Sequence, residues 1–290
     1  MADNHEARWY LLEKKREKVW INVVLFVITF LSTLVAGVLQ MNINPLDEPG
    51  RIGEGLPFAL PLMVILLSHE LGHYIVSKNA KMEVSLPYFL PAPSIIGTFG
   101  AFIKMRSPII SRRSLLDIGA AGPLIGFMIA VPFIIIGFRL SEVRVSESLP
   151  QLSLGTSLLL EFMTKLVIGN IPDNYDIIIH PIAFAGWIGL FVTSINLLPV
   201  GQLDGGHIAY ALFGKRHKTL SIVTIGFLTI FGFFTWPGWF IWAVLLIIMG
   251  LRHPPPMDDW TPLDNRRKVI GFLSLVIFVI TFIPVPFEVM

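Results

Sequence analysis

The feature that most constrains this chain is a succession of long apolar segments separated by shorter polar ones. A membrane-spanning helix needs about 20 predominantly apolar residues, and seven segments approach that length. These segments are 19–40, 56–76, 114–138, 181–198, 220–234, 239–251 and 269–286. Only 14% of the 290 residues are charged and 54% are hydrophobic, whereas soluble domains are about a quarter charged. The sequence therefore predicts an all-α polytopic membrane protein with about six to seven transmembrane helices.

The distribution of lysine and arginine predicts how the chain is oriented. Eighteen of the 22 basic residues fall in one set of alternating polar segments, and four fall in the other set. Those four are Arg51, Arg139, Arg144 and Lys165. Because cytoplasmic loops carry the excess of basic residues, we expect a multi-pass integral membrane protein with a cytoplasmic N-terminus. The chain contains no cysteine, which excludes disulfides and thiolate metal ligands.

One connecting segment, 82–113, is apolar but cannot form a long helix, because proline and glycine interrupt it every few residues. Its pieces "EVSLPYFL" (83–90) and "GTFGAFIKM" (97–105) are rich in strand-forming residues and are separated by turn residues. Non-helical backbone is tolerated in a membrane only against protein or a wet cavity. We therefore expect a small membrane-associated β hairpin or sheet near 82–110, packed into the cytoplasmic edge of the bilayer.

The second apolar segment contains the motif His69-Glu70-Leu71-Gly72-His73. Residues four apart share one face of a helix, so His69 and His73 can reach a single metal ion. Glu70 can then hold a water without being a ligand, which is the usual role of H-E-x-x-H. Ionisable groups inside a membrane span are costly and are functional by default. The alternative is a polar cluster that only hydrogen-bonds helices together.

A catalytic zinc ion usually takes three protein ligands, so a third must come from elsewhere in the chain. The fourth apolar segment ends in "SINLLPVGQLDGGH", where the helix is expected to break around Asp204. The residues expected to break it are Pro199, Gly201, Gly205 and Gly206. The second and fourth segments run in the same direction, which places Asp204 and both histidines towards the cytoplasmic side of the membrane. His207 is the second candidate for this ligand.

These two motifs, H-E-L-G-H and N-L-L-P-V-G-Q-L-D-G, resemble those of the site-2 protease family of intramembrane zinc metalloproteases. The resemblance covers at least 56–206, without PDZ-like or CBS-like insertions. It implies hydrolysis of a peptide bond within or near the transmembrane segment of a membrane-protein substrate. One Zn²⁺ per chain would bind His69, His73 and Asp204, with Glu70 as the general base towards zinc-activated water. The resemblance also implies that Asn196 positions or stabilises the oxyanion.

The resemblance suggests a division of the chain into four parts. We expect a cytoplasmic N-terminal segment over 1–18, the first transmembrane helix with an external loop over 19–55, a catalytic core over 56–213, and C-terminal transmembrane helices over 214–290. The expected partners are a transmembrane protein substrate and the lipid bilayer, with no nucleic acid.

Two other functions remain open at this point. A CAAX-processing type of membrane metalloprotease would take its third ligand from a Glu or His on a separate helix. A membrane transporter or ion-binding protein would instead use the broken helix around Asp204 as its ion site.

Overall fold

Helices dominate the computed structural model, which describes residues 18–145, 152–172 and 174–289. The expected N-terminal segment 1–18 lies outside these residues except for Lys18. The described helices are α1 Val19–Gln40, α2 Leu56–Asn79, α3 Arg112–Leu140, α4 Leu158–Val167, α5 Pro181–Asn196, α6 Asp204–Phe213, α7 His217–Phe234, α8 Gly238–Met249 and α9 Asn265–Thr281. The strands are β1 Tyr88–Pro91, β2 Thr98–Phe102, β3 Glu142–Val145, β4 Leu152–Leu154, β5 Tyr175–Ile178 and β6 Phe287–Val289.

Four helical stretches in the described chain are long and apolar enough to cross a membrane. They are Val19–Gln40, Pro49–Asn79, Arg112–Leu140 and Asp204–Phe234. Two shorter apolar helices are Pro181–Asn196 and Gly238–Met249. The prediction of a mostly helical membrane protein is thus supported, whereas the number of six to seven spans is not confirmed.

The helix around 204–234 begins earlier than the sequence suggested. A 3-10 turn at Gly214–Arg216 joins α6 to α7, so the helical stretch includes Lys215, Arg216 and Lys218, which precede the apolar segment 220–234. Lysine and arginine are good helix formers, so a cluster of them does not by itself end a helix.

Small residues let the central helices approach one another closely. A Cβ added to Gly137 of α3 would lie 2.2 Å from the backbone nitrogen of Ala183 of α5, and one added to Gly186 would lie 2.5 Å from the side chain of Ile134. Helices in lipid gain little from hydrophobic association and pack through such small residues. Helix α3 contacts α2, α5 and α6 and so lies at the centre of the bundle.

The expected hairpin is formed by β1 and β2, which pair antiparallel from Tyr88 opposite Phe102 to Pro91 opposite Thr98. Its position differs from the expectation, because it extends along most of α1 instead of staying near one end. Side chains of α1 donate to backbone carbonyls of the hairpin and its flanks. The pairs are Asn22 with Leu86 and Pro87 (3.1 and 3.0 Å), Ser32 with Gly97 (2.6 Å) and Gln40 with Ile95 (2.7 Å).

Asn22 and Gln40 are 18 residues apart, which corresponds to about 27 Å of helical rise. Irregular backbone at membrane depth needs protein donors for its carbonyl groups, and α1 supplies them. This requirement explains why the hairpin follows the helix.

Short two-stranded sheets lie near the C-terminal end of α3, which β3 follows directly. Strand β3 pairs with β5, and β4 pairs with β6. Helix α4 begins at the N-cap Ser157, whose side chain accepts a hydrogen bond from the amide of Leu160. The polar cluster of the H-E-x-x-H motif lies towards the other end of α3.

Candidate metal centre

His69 and His73 lie one turn apart on α2, and both are buried. Their Nε2 atoms are 3.2 Å apart. Each Nε2 is also 3.2 Å from Oδ2 of Asp204. The three side chains offer one ligand atom each within 4.8 Å of one another. The structure therefore brings together the three residues that the two motifs nominated.

Asp204 reaches the histidines because α5 ends at Asn196 and α6 begins at Asp204 itself. The connecting residues reverse the chain, with Gly201 at a positive φ of 55°, a conformation that favours glycine. A carboxylate in the first turn of a helix is stabilised by the helix dipole. The backbone thus delivers an acidic side chain where the histidines need a third partner.

The sequence suggested that Gly205 and Gly206 break a helix. In the structure they lie in the first turn of α6. A Cβ at Gly205 would lie 2.0 Å from the carbonyl oxygen of Leu197, and one at Gly206 would lie 2.5 Å from that of Gly201. These glycines are therefore explained by close packing of α6 against the preceding turn.

The geometry of the cluster fits a zinc ion. Ligands about 2.0–2.1 Å from a tetrahedral zinc are separated by about 3.3 Å, close to the observed 3.2 Å separations. The Nδ1 atom of His73 lies 2.8 Å from the carbonyl oxygen of Ile118. A carbonyl can only accept, so Nδ1 carries the proton and Nε2 of the neutral ring keeps its lone pair. This tautomer is the one a metal ligand requires.

Glu70 lies beside the cluster but is not part of the candidate ligand group found in the described residues. Its side chain is buried, and its carboxylate is hydrogen-bonded by the backbone of Ile103, just after β2. The amide Nδ2 of Asn196 lies 3.4 Å from Nε2 of His69. Both residues thus lie where a substrate bound at the cluster would meet them.

His207, the second candidate for the third ligand, is paired elsewhere. Its Nδ1 lies 2.6 Å from Nε2 of His253, and the ring of Tyr210 packs on His253. This pair could not be predicted from the sequence, because His253 lies 46 residues away in the loop between α8 and α9. The contributions of Ile103 and Ile118 were also missed, since they come from the backbone.

Residues 57–235 match the model of "Peptidase family M50". This range holds both motifs and every residue of the cluster. The chain belongs to peptidase family M50, the site-2 protease family. The resemblance inferred from the two motifs is thereby confirmed.

The M50 relatives include plant proteins. "Probable zinc metalloprotease EGY1, chloroplastic" of Arabidopsis thaliana is 32% identical over 81% of this chain and 44% of its own length. The Arabidopsis protein "Probable zinc metalloprotease EGY2, chloroplastic" is 30% identical over 84% of this chain and 44% of its own. The EGY2 protein of Oryza sativa subsp. indica is 30% identical over 90% of this chain and 49% of its own. The chain thus spans less than half the length of these relatives.

The centre of this M50 member leaves no room for a larger residue at Gly122. A Cβ there would lie 2.0 Å from Nε2 of His73. We expect Gly122→Ala to displace that ring and weaken zinc binding at least about tenfold, because overpacking a tight contact costs about 1–3 kcal/mol. Competitive zinc titration of the purified variants measures the effect.

Gly226→Ala is the matched control for this substitution. Gly226 also lies within a helix, α7, but a Cβ there would meet nothing within 4 Å. Zinc affinity should be unchanged in this variant. Equal zinc affinity in Gly122→Ala and wild type would show that His73 is not a ligand in the observed orientation.

Proposed function

We propose that this M50 member is a zinc metalloprotease that hydrolyses a peptide bond within or near the transmembrane segment of a membrane-protein substrate. The observation that carries the proposal is the buried cluster of His69, His73 and Asp204 among helices apolar enough to span a membrane. Three ligand groups of this type suit catalytic zinc, which keeps a further position for water or substrate.

His69, His73 and Asp204 would hold the ion, with His73 oriented by the carbonyl of Ile118. A bound Zn²⁺ supplies Lewis-acid chemistry, which polarises the scissile carbonyl and lowers the pKa of a coordinated water to about 7. The protein supplies a buried site, in which charges interact more strongly than in water.

Glu70 is the proposed general base. It follows His69 directly, and the hydrogen bond from the backbone of Ile103 holds its carboxylate in place. In this position it would take a proton from the attacking water and return it to the leaving amine. The amide of Asn196, close to His69, would donate a hydrogen bond to the developing oxyanion.

The β1–β2 hairpin provides a candidate docking edge for the substrate. The hairpin is a two-stranded sheet. One edge of β2 pairs with β1, and no other described strand pairs with the second edge of β2. A locally unwound substrate segment could add to the other edge, with main-chain hydrogen bonds giving affinity. Since Ile103 follows β2 and bonds to Glu70, a strand bound there would lead to the proposed base.

We assign the catalytic core to residues 56–213. Residues 19–55 would then hold the hairpin, and 214–290 would pack around the core. The excess of basic residues in one set of segments supports a cytoplasmic N-terminus with the site towards the cytoplasm.

Metal removal tests this function. In lipid vesicles, the purified protein should cleave a single-span test peptide, lose that activity after chelation and regain it with added Zn²⁺. A soluble peptide carrying only the extramembrane part of the test sequence is the control and should be cleaved far more slowly. Cleavage that persists without metal, or zinc transport without cleavage, would contradict the proposal.

A further inference from the structure

A cavity of about 810 Å³ opens between the residues that follow β2 and the loop that follows α8. Ile103 and Met105 line it from the segment after β2. Gln202, His207 and His253 line it from α6 and from the loops before α6 and after α8. Ile103, whose backbone bonds to Glu70, is thus shared between this cavity and the surroundings of the proposed base. A substrate strand running past β2 would enter this cavity.

The two histidines form a hydrogen-bond chain with a fixed direction. Nδ1 of His253 lies 2.6 Å from the carbonyl oxygen of Pro254. The carbonyl can only accept, so Nδ1 carries the proton. Nε2 of the neutral ring must then accept, and it does so from Nδ1 of His207, 2.6 Å away. This arrangement leaves Nε2 of His207 as an acceptor.

The neutral state of His253 follows from its surroundings. Burial lowers the pKa of the His253 imidazole below its ordinary value, and the rings of Tyr210, His207 and His217 surround it. Within the described chain, Nε2 of His207 has no hydrogen-bond partner. His207 lines the cavity, so a ligand that displaced water from this acceptor without donating a hydrogen bond would leave it unpaired at a cost in free energy. The site therefore favours a ligand that donates.

An extended peptide supplies such donors on both of its edges. Hydrogen-bonding groups of successive residues point to alternate sides of a strand. If one edge of the substrate pairs with the residues around Ile103, the N–H groups of its other edge face the wall that carries His207. We propose that Nε2 of His207 accepts a backbone N–H of the substrate and that His253 is the positioning residue that fixes the required tautomer.

This inference rests on the proposed protease function and adds one substrate-binding residue and one positioning residue. Two variants of His207 separate the roles of its ring nitrogens. The amide nitrogen of Asn in His207→Asn can still donate to His253, but it offers nothing at the position of Nε2. The longer side chain in His207→Gln returns an amide oxygen near that position. Zinc content and thermal midpoint serve as folding readouts for both.

The probes are single-span test peptides in which one backbone amide on the C-terminal side of the cleaved bond is replaced by an ester, which lacks the N–H. At one position the ester should lower kcat/KM of the wild type about tenfold, equivalent to about 1.4 kcal/mol and typical of one hydrogen bond. His207→Asn should lose the same factor on the all-amide peptide and nothing further on the ester. His207→Gln should retain most activity.

A double-mutant cycle makes the outcome decisive. Additive losses from the ester and His207→Asn at every position would overturn the inference while leaving the protease intact. No cleavage by the wild type would instead mean that the proposed function fails. For His253, we expect His253→Gln to keep activity and His253→Phe to lose about tenfold with zinc retained. Equal activity in these two variants would overturn its positioning role.

Met257→Ala controls for general disturbance of this loop. Met257 lies four residues after His253 with an exposed side chain, so its removal should leave kcat/KM unchanged. A tenfold loss in this variant would assign the His253 effect to loop structure and overturn the positioning role.

Discussion

Replacing Glu70 with Gln is expected to lower the cleavage rate about 10³-fold while leaving bound zinc in place. The side chain keeps its size and its hydrogen-bonding capacity towards Ile103 but can no longer accept the proton of the attacking water. General bases contribute about 10²–10⁴-fold, and the candidate ligand atoms among the described residues come from other side chains. Cleavage of an embedded test peptide and zinc analysis of the same sample measure the two quantities.

Glu161→Gln is the matched control. Glu161 is an exposed carboxylate on α4, far along the bundle from the metal cluster. This variant should keep both zinc and activity. If Glu70→Gln cleaved within tenfold of wild type, the general-base role would be wrong, and if it lost zinc, Glu70 would have to be counted as a ligand.

Replacing Asp204 with Ala is expected to abolish both zinc binding and cleavage. The substitution removes one of three ligands, and loss of partners that merely orient ligands already costs about 10–100-fold in affinity. We therefore expect zinc affinity to fall by more than about a hundredfold. Alanine suits the start of a helix, so α6 should still form. Equilibrium zinc binding measures the loss, and thermal unfolding verifies the fold.

Asp176→Ala controls for the removal of a carboxylate. Asp176 is exposed on β5 and should not influence zinc. Zinc retained at wild-type affinity in Asp204→Ala would favour a metalloprotease whose third ligand is a Glu or His on another helix. This result would also remove the geometric basis of the inference about the cavity.

The site could be anticipated from the sequence to a considerable extent, because its geometry is set by short-range rules. Helical periodicity places His69 and His73 on one face, and a break before Asp204 frees that residue to approach them. The role of the glycines was harder to anticipate. Gly205 and Gly206 were interpreted as helix breakers, but they lack side chains because α6 packs closely against backbone carbonyls. A contact with a backbone carbonyl leaves no pattern in the sequence, whereas a helix leaves a periodic one.

Contacts made by backbone atoms and by distant polar residues could not be predicted. The carbonyl of Ile118 and the backbone of Ile103 leave no signature in residue type. Asn22 and Gln40 look like isolated polar residues in or beside an apolar segment, and only the fold shows that they bond to the hairpin. The number of spans also stays a prediction, since short helices such as Pro181–Asn196 fall below the usual length for crossing a bilayer.

The contact between α1 and the hairpin bears on how small a working version of this protein can be made. The match to the family model begins at residue 57, after α1 has ended. A fragment trimmed to that boundary would remove the side chains of α1 that donate to the carbonyls of Leu86, Pro87, Ile95 and Gly97. Irregular backbone at membrane depth depends on such donors from the protein. We therefore expect a stable fragment to start upstream of the region that matches the family model, at or before Val19.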